Sequence, residues 1–395
     1  MQISFISHEY PPLGGGGSTA LHEYASGLAA RGHAVQVVTV GTGAHDTVDT
    51  EDGVQVVRLA AGRKLIQTPS KAELIRSCAA LRLKSMPHLR RHEPEVLVAF
   101  FAFPAGFLAA PLAAKLNIPL VVSLRGSDVP GFSAKRLGVF GPLLPYLFHR
   151  ATRHAAAVVP NGRRLADMAA PYLHTGSRVR VIPNGVDTLR FAPQGAEYGS
   201  MGGPLRVLFV GQMIARKQCL VLAQALHEVA ARGVPLQVSF AGSGPLEQDI
   251  RRIVSSLDPV VGVTFTGHVP RNAIADLYGA HDVLVHLSQA EGVSNVLMEA
   301  LSSGLCLVAA DTAVDAAIDG VPRQAPAEDG GIILLPVDCG PVVLGATLAG
   351  LACNRSLVEE QQRLARRTAL KNSWQVRVGE LEDLLTGSIA GCQAS

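Results

Sequence analysis

A doubly wound α/β fold, built twice along one chain, is what this sequence predicts, and three observations predict it. Short apolar runs such as QISFI, VLVAF and LVVSL alternate with helix-forming stretches, the pattern of parallel strands covered on both faces. The alternation stops at the polar, glycine-rich segment QGAEYGSMGGP (194–204) and resumes with LRVLFV. The chain's 395 residues exceed one ordinary core and suit two domains of about 200 residues each.

The first half gives a strand at 2–7, a Gly-rich turn, a helix at 18–31, strands at 34–40 and 54–59, and a helix at 70–91. A strand at 96–101, a helix at 105–116, a strand at 119–124 and the strand AAVVP follow. Residues 96–114 carry no charge and approach the length of a membrane span, but Pro104 and Pro111 divide them. They read as a buried strand followed by a short apolar helix. The expected domains are therefore 1–193 and 205–375, joined by a linker at 194–204. The second half repeats the cycle, with strands at 205–210, 235–241, 262–266, 282–287, 305–310 and 331–335. Its helices are expected at 217–232, 245–256, 271–280 and 294–303, and one helical run from Ser356 to Leu385 carries Trp374 midway. Two such sheets are expected to face a central cleft, the usual place for a small ligand.

Composition narrows the function. Apolar residues make up 48% and charged residues 17%, which describes a compact globular chain with little disorder. A net charge of +3 gives no argument for nucleic acid. Cys78, Cys219, Cys306, Cys339, Cys353 and Cys392 form no CxxC pair and no Cys/His cluster, so no metal site is expected and they read as thiols of a reducing compartment. MQISFIS enters a strand directly, without a signal-peptide pattern, so a cytoplasmic location is expected.

Three motifs carry chemistry. In EGVSNVLMEALSSG, Glu291 and Glu299 stand eight positions apart, slightly more than two helical turns, after the strand DVLVHLS. Glu299 can then rise beside the crevice that Glu291 lines from the loop, at the carboxyl end of a parallel strand where ligands bind. Gly14 to Gly17 follow the first strand and open a helix, whose backbone amides and partial positive charge suit a phosphate. Gly15, Gly17 and Ala20 also satisfy GxGxxA, but VQVVTVGTG supplies no acid to hold a ribose before Asp46, so dinucleotide binding fits poorly. In VLFVGQMIARKQ, Gly211 ends a strand and Arg216 and Lys217 precede a helix, where cations are disfavoured unless an anion joins them. A cation there would stabilise a departing diphosphate more than its ground state.

With their surroundings these motifs resemble the retaining glycosyltransferases of family 4, in the GT-B architecture of two Rossmann-like domains. PPLGGGGSTALHEYASGLAARGHAVQVVT, NGVDTLRFAP, FAGSGPL and TGHVPRNAIADLYGAHDVLVHLS resemble family segments in the expected order and cover nearly the whole chain. The resemblance implies that Glu291, Lys217 and Arg216 are catalytic. It assigns the donor to Gly16, Gly17, Gly211, Gln212, Gly242, His268, Val269, Gly292, Val293, Ser294, Asn295 and Glu299. Gly15, Arg125 and Asp128 are expected on the acceptor side, and the last helix, 376–395, is expected to cross back to the first domain.

The chain departs from the family pattern at four places. Gln212 stands where an arginine is usual and Gln218 where a glycine is usual, so Arg216 is expected to share the diphosphate. Arg125 replaces a histidine, and DTAVDAAIDG lacks the usual glycine pair and proline-glutamate.

No DxD occurs in the chain, so metal-independent transfer is expected, from a UDP- or GDP-linked sugar as co-substrate and with no other cofactor. The acceptor is an unidentified hydroxyl on a glycan, a lipid-linked molecule or a small molecule. A GT-B epimerase or phosphorylase, and a catalytically silent sugar-nucleotide binder, remain open at this point. Between Gly62 and His92, Arg63, Lys64, Lys71, Arg76, Arg82, Lys84, Arg90 and Arg91 face only one acid, Glu73. Such a helix fits either a solvated face or peripheral contact with anionic lipid at the inner membrane face.

Overall fold

The computed structural model describes residues 1–64, 69–132, 142–194, 203–289, 292–322 and 327–393. The chain divides into two compact units, one of Met1–Asn184 with Trp374–Ser395 and the other of Gly185–Ser373. The division falls ahead of the expected linker, most of which (195–202) lies outside the described residues.

The first unit contains β1 (Gln2–Ile6), α1 (Gly16–Ala30), β2 (Ala34–Gly41), β3 (Thr47–Glu51), β4 (Val54–Ala60), α2 (Lys71–His92) and β5 (Val96–Phe100). It continues with α3 (Phe107–Leu116), β6 (Leu120–Leu124), α4 (Leu144–Thr152), β7 (Ala157–Pro160) and α5 (Arg163–Ala169). Its sheet runs β3-β4-β2-β1-β5-β6-β7, parallel except for β3. Both faces are buried. Val96, Val98 and Phe100 pack into one cluster with α1, while Leu97 and Ala99 pack into another with α3. Burial on both sides explains why these strands read as unbroken apolar runs. The uncharged run 96–114 is β5 and α3, a buried strand and a partly buried helix.

The second unit contains β8 (Leu205–Val210), α6 (Cys219–Ala231), β9 (Leu236–Ala241), α7 (Glu247–Val254), β10 (Val261–Gly267), α8 (Ile274–Gly279) and β11 (Val283–His286). After these come α9 (Asn295–Ser302), β12 (Cys306–Ala310), β13 (Ala327–Asp329), β14 (Ile332–Leu335), α10 (Pro341–Cys353) and α11 (Arg355–Lys371). The sheet order is β10-β9-β8-β11-β12-β14-β13, with only β13 antiparallel. Val207, Phe209, Val283 and Val285 face the α6 and α10 side, and Leu208 and Leu284 face the α9 and α11 side.

The expected single helix from Ser356 to Leu385 is two helices, broken at Asn372 and Ser373. The second, α12 (Trp374–Gln393), belongs to the first unit. There Gly27 of α1 leaves room for Val378, Trp374 meets Tyr24 edge-on at 5.3 Å, and Arg31 and His33 each reach Glu382 at 2.7 Å. Strand β3, unmarked in the sequence reading, forms a hairpin with β4 through Asp52 and Gly53, both at positive φ as a tight Asp-Gly turn requires. No single helix among the described residues is long and apolar enough to cross a membrane.

Of the eight basic residues of the 62–92 segment, Arg63 and Lys64 precede α2, while Lys71, Arg76, Arg82, Lys84, Arg90 and Arg91 lie on it and are exposed. Arg63 is buried and donates to the His8 carbonyl, Arg76 bonds the carbonyls of Ala61 and Gly62, and Lys84 pairs with Asp46 at 2.9 Å. Glu73 closes a capping box with Ser70 at the start of α2.

Candidate active site

Each sheet has one place where strand order reverses, between β1 and β5 in the first unit and between β8 and β11 in the second. Loops leaving the carboxyl ends of such strands form the ligand crevice of open α/β sheets. The predicted glycine loop follows β1, and the predicted basic pair and glutamate segment follow β8 and β11.

In the second unit, bare backbone closes the site. Gly211 has φ +144° and donates its N–H to Ala241 at 2.9 Å, and Gly242 has φ +128° and donates to Gly267 at 2.7 Å. A Cβ on Gly242 would collide with the Gly211 carbonyl, and one on Gly244 would lie 2.5 Å from the Met213 oxygen. Met213 N–H to Ser243 O at 3.0 Å and Leu246 N–H to Met213 O at 3.1 Å complete the join between the two loops. Only glycine permits this approach.

The basic pair lies in a single tight turn, Ala215–Lys217, one residue ahead of α6. Helix 217–232 therefore begins later than expected, at Cys219, with Gln218 in the left-handed region at φ 50°. That conformation explains why glycine suits position 218; here the Gln218 amide compensates by donating to the Val337 carbonyl at 2.9 Å. Lys217 is half-buried, its Cε 3.8 Å from where a Gly211 Cβ would stand, while Arg216 and Gln212 are exposed. The Gln289 N–H donates to the Arg216 carbonyl at 2.9 Å, which fastens the loop after β11 to the turn carrying Lys217.

Glu291 lies outside the described residues, as does Ala290. Immediately after them, Gly292 is half-buried and Val293 and Ser294 are buried. Ser294 is the N-cap of α9 but its side chain makes no capping hydrogen bond, and Asn295 is exposed. The first-turn N–H groups of α9 thus keep the donors and partial positive charge that a helix start presents. Glu299 stands one turn further on and is no surface glutamate. Burial pushes its carboxyl up to about 7, opposed by a 3.1 Å hydrogen bond from the Tyr278 hydroxyl and by the charges of Arg271 and Arg190. After β10, His268 is exposed and Val269 packs against the cluster that holds α9.

In the first unit, helix α1 starts at Gly16, so Gly16 and Gly17 lie in its first turn instead of before it. Gly15 and Gly16 are exposed, and a Cβ on Gly17 would stand 2.5 Å from the Phe101 ring. Asp128 is buried and accepts from the N–H groups of Ala102 (2.7 Å), Arg125 (3.0 Å) and Gly126 (2.8 Å). Burial raises its carboxyl above the usual range, while these donors pull it back. Arg125 donates to Asn184 Oδ1 at 2.8 Å and to Ser123 Oγ at 2.6 Å and lies 4.0 Å over the Phe100 ring. Of the three residues expected on the acceptor side, Arg125 and Asp128 hold partners within their own unit.

With that geometry in place, comparison with known proteins decides the family. A family model described as Glycosyltransferase Family 4 matches residues 14–190, and one described as Glycosyl transferases group 1 matches 204–339. A D-inositol 3-phosphate glycosyltransferase of Kineococcus radiotolerans is 30% identical over 90% of this chain and 84% of its own. The chain belongs to glycosyltransferase family 4. A GDP-mannose-dependent alpha-mannosyltransferase of Mycobacterium tuberculosis is 28% identical over 96% of this chain and 95% of its own. Among solved structures, Anabaena HepE in complex with UDP is similar at TM-score 0.71 and 18% identity, covering 98% of this chain and 100% of that one. It shares the GT-B fold.

The fold also brings to this place residues that the sequence reading missed. Tyr278 orients Glu299, Gln289 ties two loops together, and Gly244 admits Met213. Tyr278 sits in the fragment LYGAHDV as one aromatic among apolar neighbours, with no spacing to couple it to a carboxylate 21 positions away. Gly244 was within reach of the sequence, since GSGP repeats glycine at a strand end.

Proposed function

We propose that this family-4 glycosyltransferase moves a hexose-type sugar from a UDP- or GDP-linked donor to an acceptor hydroxyl, with retention and without a metal ion. One observation carries the reading. At the point of strand reversal in the second unit, Lys217, the α9 N-terminus and two side-chain-free glycine loops are held together by the Gln289–Arg216 hydrogen bond. Fixed donors and a cation at one crevice suit a diphosphate whose charge grows as the glycosidic bond breaks. A relative's GDP-mannose dependence and the UDP in HepE support a nucleoside diphosphate donor.

In this reading the diphosphate lies over Gly211, with Lys217 and Arg216 neutralising it. Glu299 faces the ribose hydroxyls and Glu291 orients the donor sugar. The acceptor hydroxyl attacks the anomeric carbon from the leaving-group side, and its proton passes to a phosphate oxygen, so that the diphosphate departs as the new bond forms. The test is a panel of UDP- and GDP-sugars with sugar and polyol acceptors, read by nucleotide diphosphate release and by the anomeric configuration of the product. An inverted product, or release of nucleotide without any acceptor dependence, overturns it.

A further inference from the structure

A cavity lies in the first unit, beside α3, α4 and α12. Its volume is about 910 Å³, the upper end of small-ligand sites. It is lined by Leu120 at the start of β6 and by Ala156 next to the start of β7, so it opens at the amino ends of these parallel strands, whereas Arg125 follows the carboxyl end of β6 and the glycine loop the carboxyl end of β1. Open α/β sheets bind their substrates at the carboxyl ends. The cavity is therefore separate from the site described above.

The cavity exists because two helices present trimmed faces. On α3 the lining includes Ala110, Ala113 and Ala114, and on α12 it includes Gly387, Ser388 and Gly391. A Cβ on Gly391 would meet nothing within 4 Å. Phe107, Pro111 and Ile118 add an apolar floor. Around it stand Arg82, Arg150, Arg153, Arg178 and His154, all exposed, and no acidic side chain lines the cavity among the described residues. None of the four arginines is in an ion pair among the described residues, although neighbouring Lys84 is. Four like charges around an apolar hollow raise the local positive potential and favour an anion that comes to lie there.

We infer that this cavity binds an acidic amphiphile, its apolar chain lying against α3 and α12 and its phosphate or carboxylate head held by Arg82, Arg150, Arg153 and Arg178. The shared chemistry fits a lipid drawn from a bilayer or an amphiphile dissolved in water. Neither half suffices alone: the arginines give the head its site, and the small residues give the chain its space. The inference does not depend on the donor or on turnover.

The test uses the full chain with dihexanoyl phosphatidate, which stays monomeric, and reads the thermal midpoint and calorimetric affinity. Dihexanoyl phosphatidate is expected to bind about tenfold or more tightly than either dihexanoyl phosphatidylcholine or inorganic phosphate. Two variants divide the site: the pair Arg150→Glu with Arg153→Glu removes the head contacts, and Gly391→Leu fills the hollow at a place where a side chain meets no clash. Both are expected to lose that binding while unfolding at the wild-type temperature without ligand. Phosphatidylglycerol vesicles distinguish the source: sedimentation that both variants reduce assigns a bilayer lipid, and monomer binding without sedimentation assigns a dissolved amphiphile. Equal binding of phosphatidylcholine, full binding by phosphate alone, or wild-type affinity in either variant overturns the inference.

Discussion

The Tyr278 hydroxyl donates to Glu299 Oε2 at 3.1 Å, from a ring with no exposure to a carboxyl that burial pushes up to about 7. A neutral phenol and a carboxyl close to neutrality thus share one buried bond on α8 and α9. The unfolded carboxyl loses its proton near 4.5, whereas the folded one keeps it to about 7. Its contribution to stability is fully present below 4.5 and is lost as the pH rises through 7. Glu299→Gln keeps the neutral shape and an acceptor oxygen. We expect its denaturation midpoint in urea to match wild type at pH 4.5 and to exceed it at pH 8; equal midpoints at both pH values would show that the carboxyl titrates normally.

Lys217 reaches over Gly211 from the turn before α6. Lys217→Ala is expected to lower kcat by about 10²- to 10³-fold, the cost of removing one fixed charge-stabilising group. The thermal midpoint should hardly move, because the side chain is only half-buried. Steady-state release of nucleotide diphosphate measures the loss, and Lys217→Arg should recover part of it. A kcat within twofold of wild type would remove Lys217 from the chemistry.

Gly242 and Gly15 make a contrasting pair. At Gly242 a side chain meets both a positive φ and the Gly211 carbonyl, so Gly242→Ala should destabilise the chain by about 2–3 kcal/mol. It should also abolish any thermal shift produced by UDP or GDP. At Gly15 a Cβ meets nothing within 4 Å and φ is −131°, so Gly15→Ala should leave the unfolding midpoint unchanged. A lower turnover in Gly15→Ala with an unchanged midpoint would report a ligand at the glycine loop.

Much of this architecture was legible in the sequence for a simple reason. Parallel strands buried on both faces must be apolar throughout, so β1, β5, β6, β8 and β12 announced themselves. Elements whose evidence is weaker or divided were harder to read. Strand β3, TVDTE, is exposed along most of its length and carries no apolar face, and only its Asp-Gly turn marks the hairpin. Helices α4, α5 and α10 are short or lack a polar stripe, and the break at Asn372 and Ser373 follows from Asn372 bonding Asp319, a tertiary contact. The site divides the same way. Placement of Glu299 on a helix follows from spacing, but its raised proton affinity comes from tertiary burial, which Tyr278, Arg271 and Arg190 from other segments oppose.

Asp128 satisfies three backbone donors from the loops after β5 and β6. Asp128→Asn replaces one accepting oxygen by an NH₂ group that faces another N–H, leaving a buried donor without its acceptor. We expect a loss on the order of 2–3 kcal/mol, read as a lower midpoint in chemical denaturation. Acceptor KM in the surviving folded enzyme should be unchanged. A changed KM at full stability would place the carboxylate on the acceptor instead.

Arg125 offers the sharper version of that distinction. Its guanidinium bonds Asn184 and Ser123 while lying 4.0 Å from the Phe100 ring, a combination that a lysine ammonium cannot reproduce. Arg125→Lys keeps the positive charge but loses the planar fork. If Arg125 serves to fasten the loop after β6 to Asn184, the variant melts earlier and keeps its KM for anionic and neutral acceptors alike. If it grips an anion on the acceptor, charge alone recovers much of the binding, and the KM for anionic acceptors rises only modestly while Arg125→Ala raises it about tenfold or more. The internal partners favour the first outcome, and comparing the two variants across charged and uncharged acceptors decides between them.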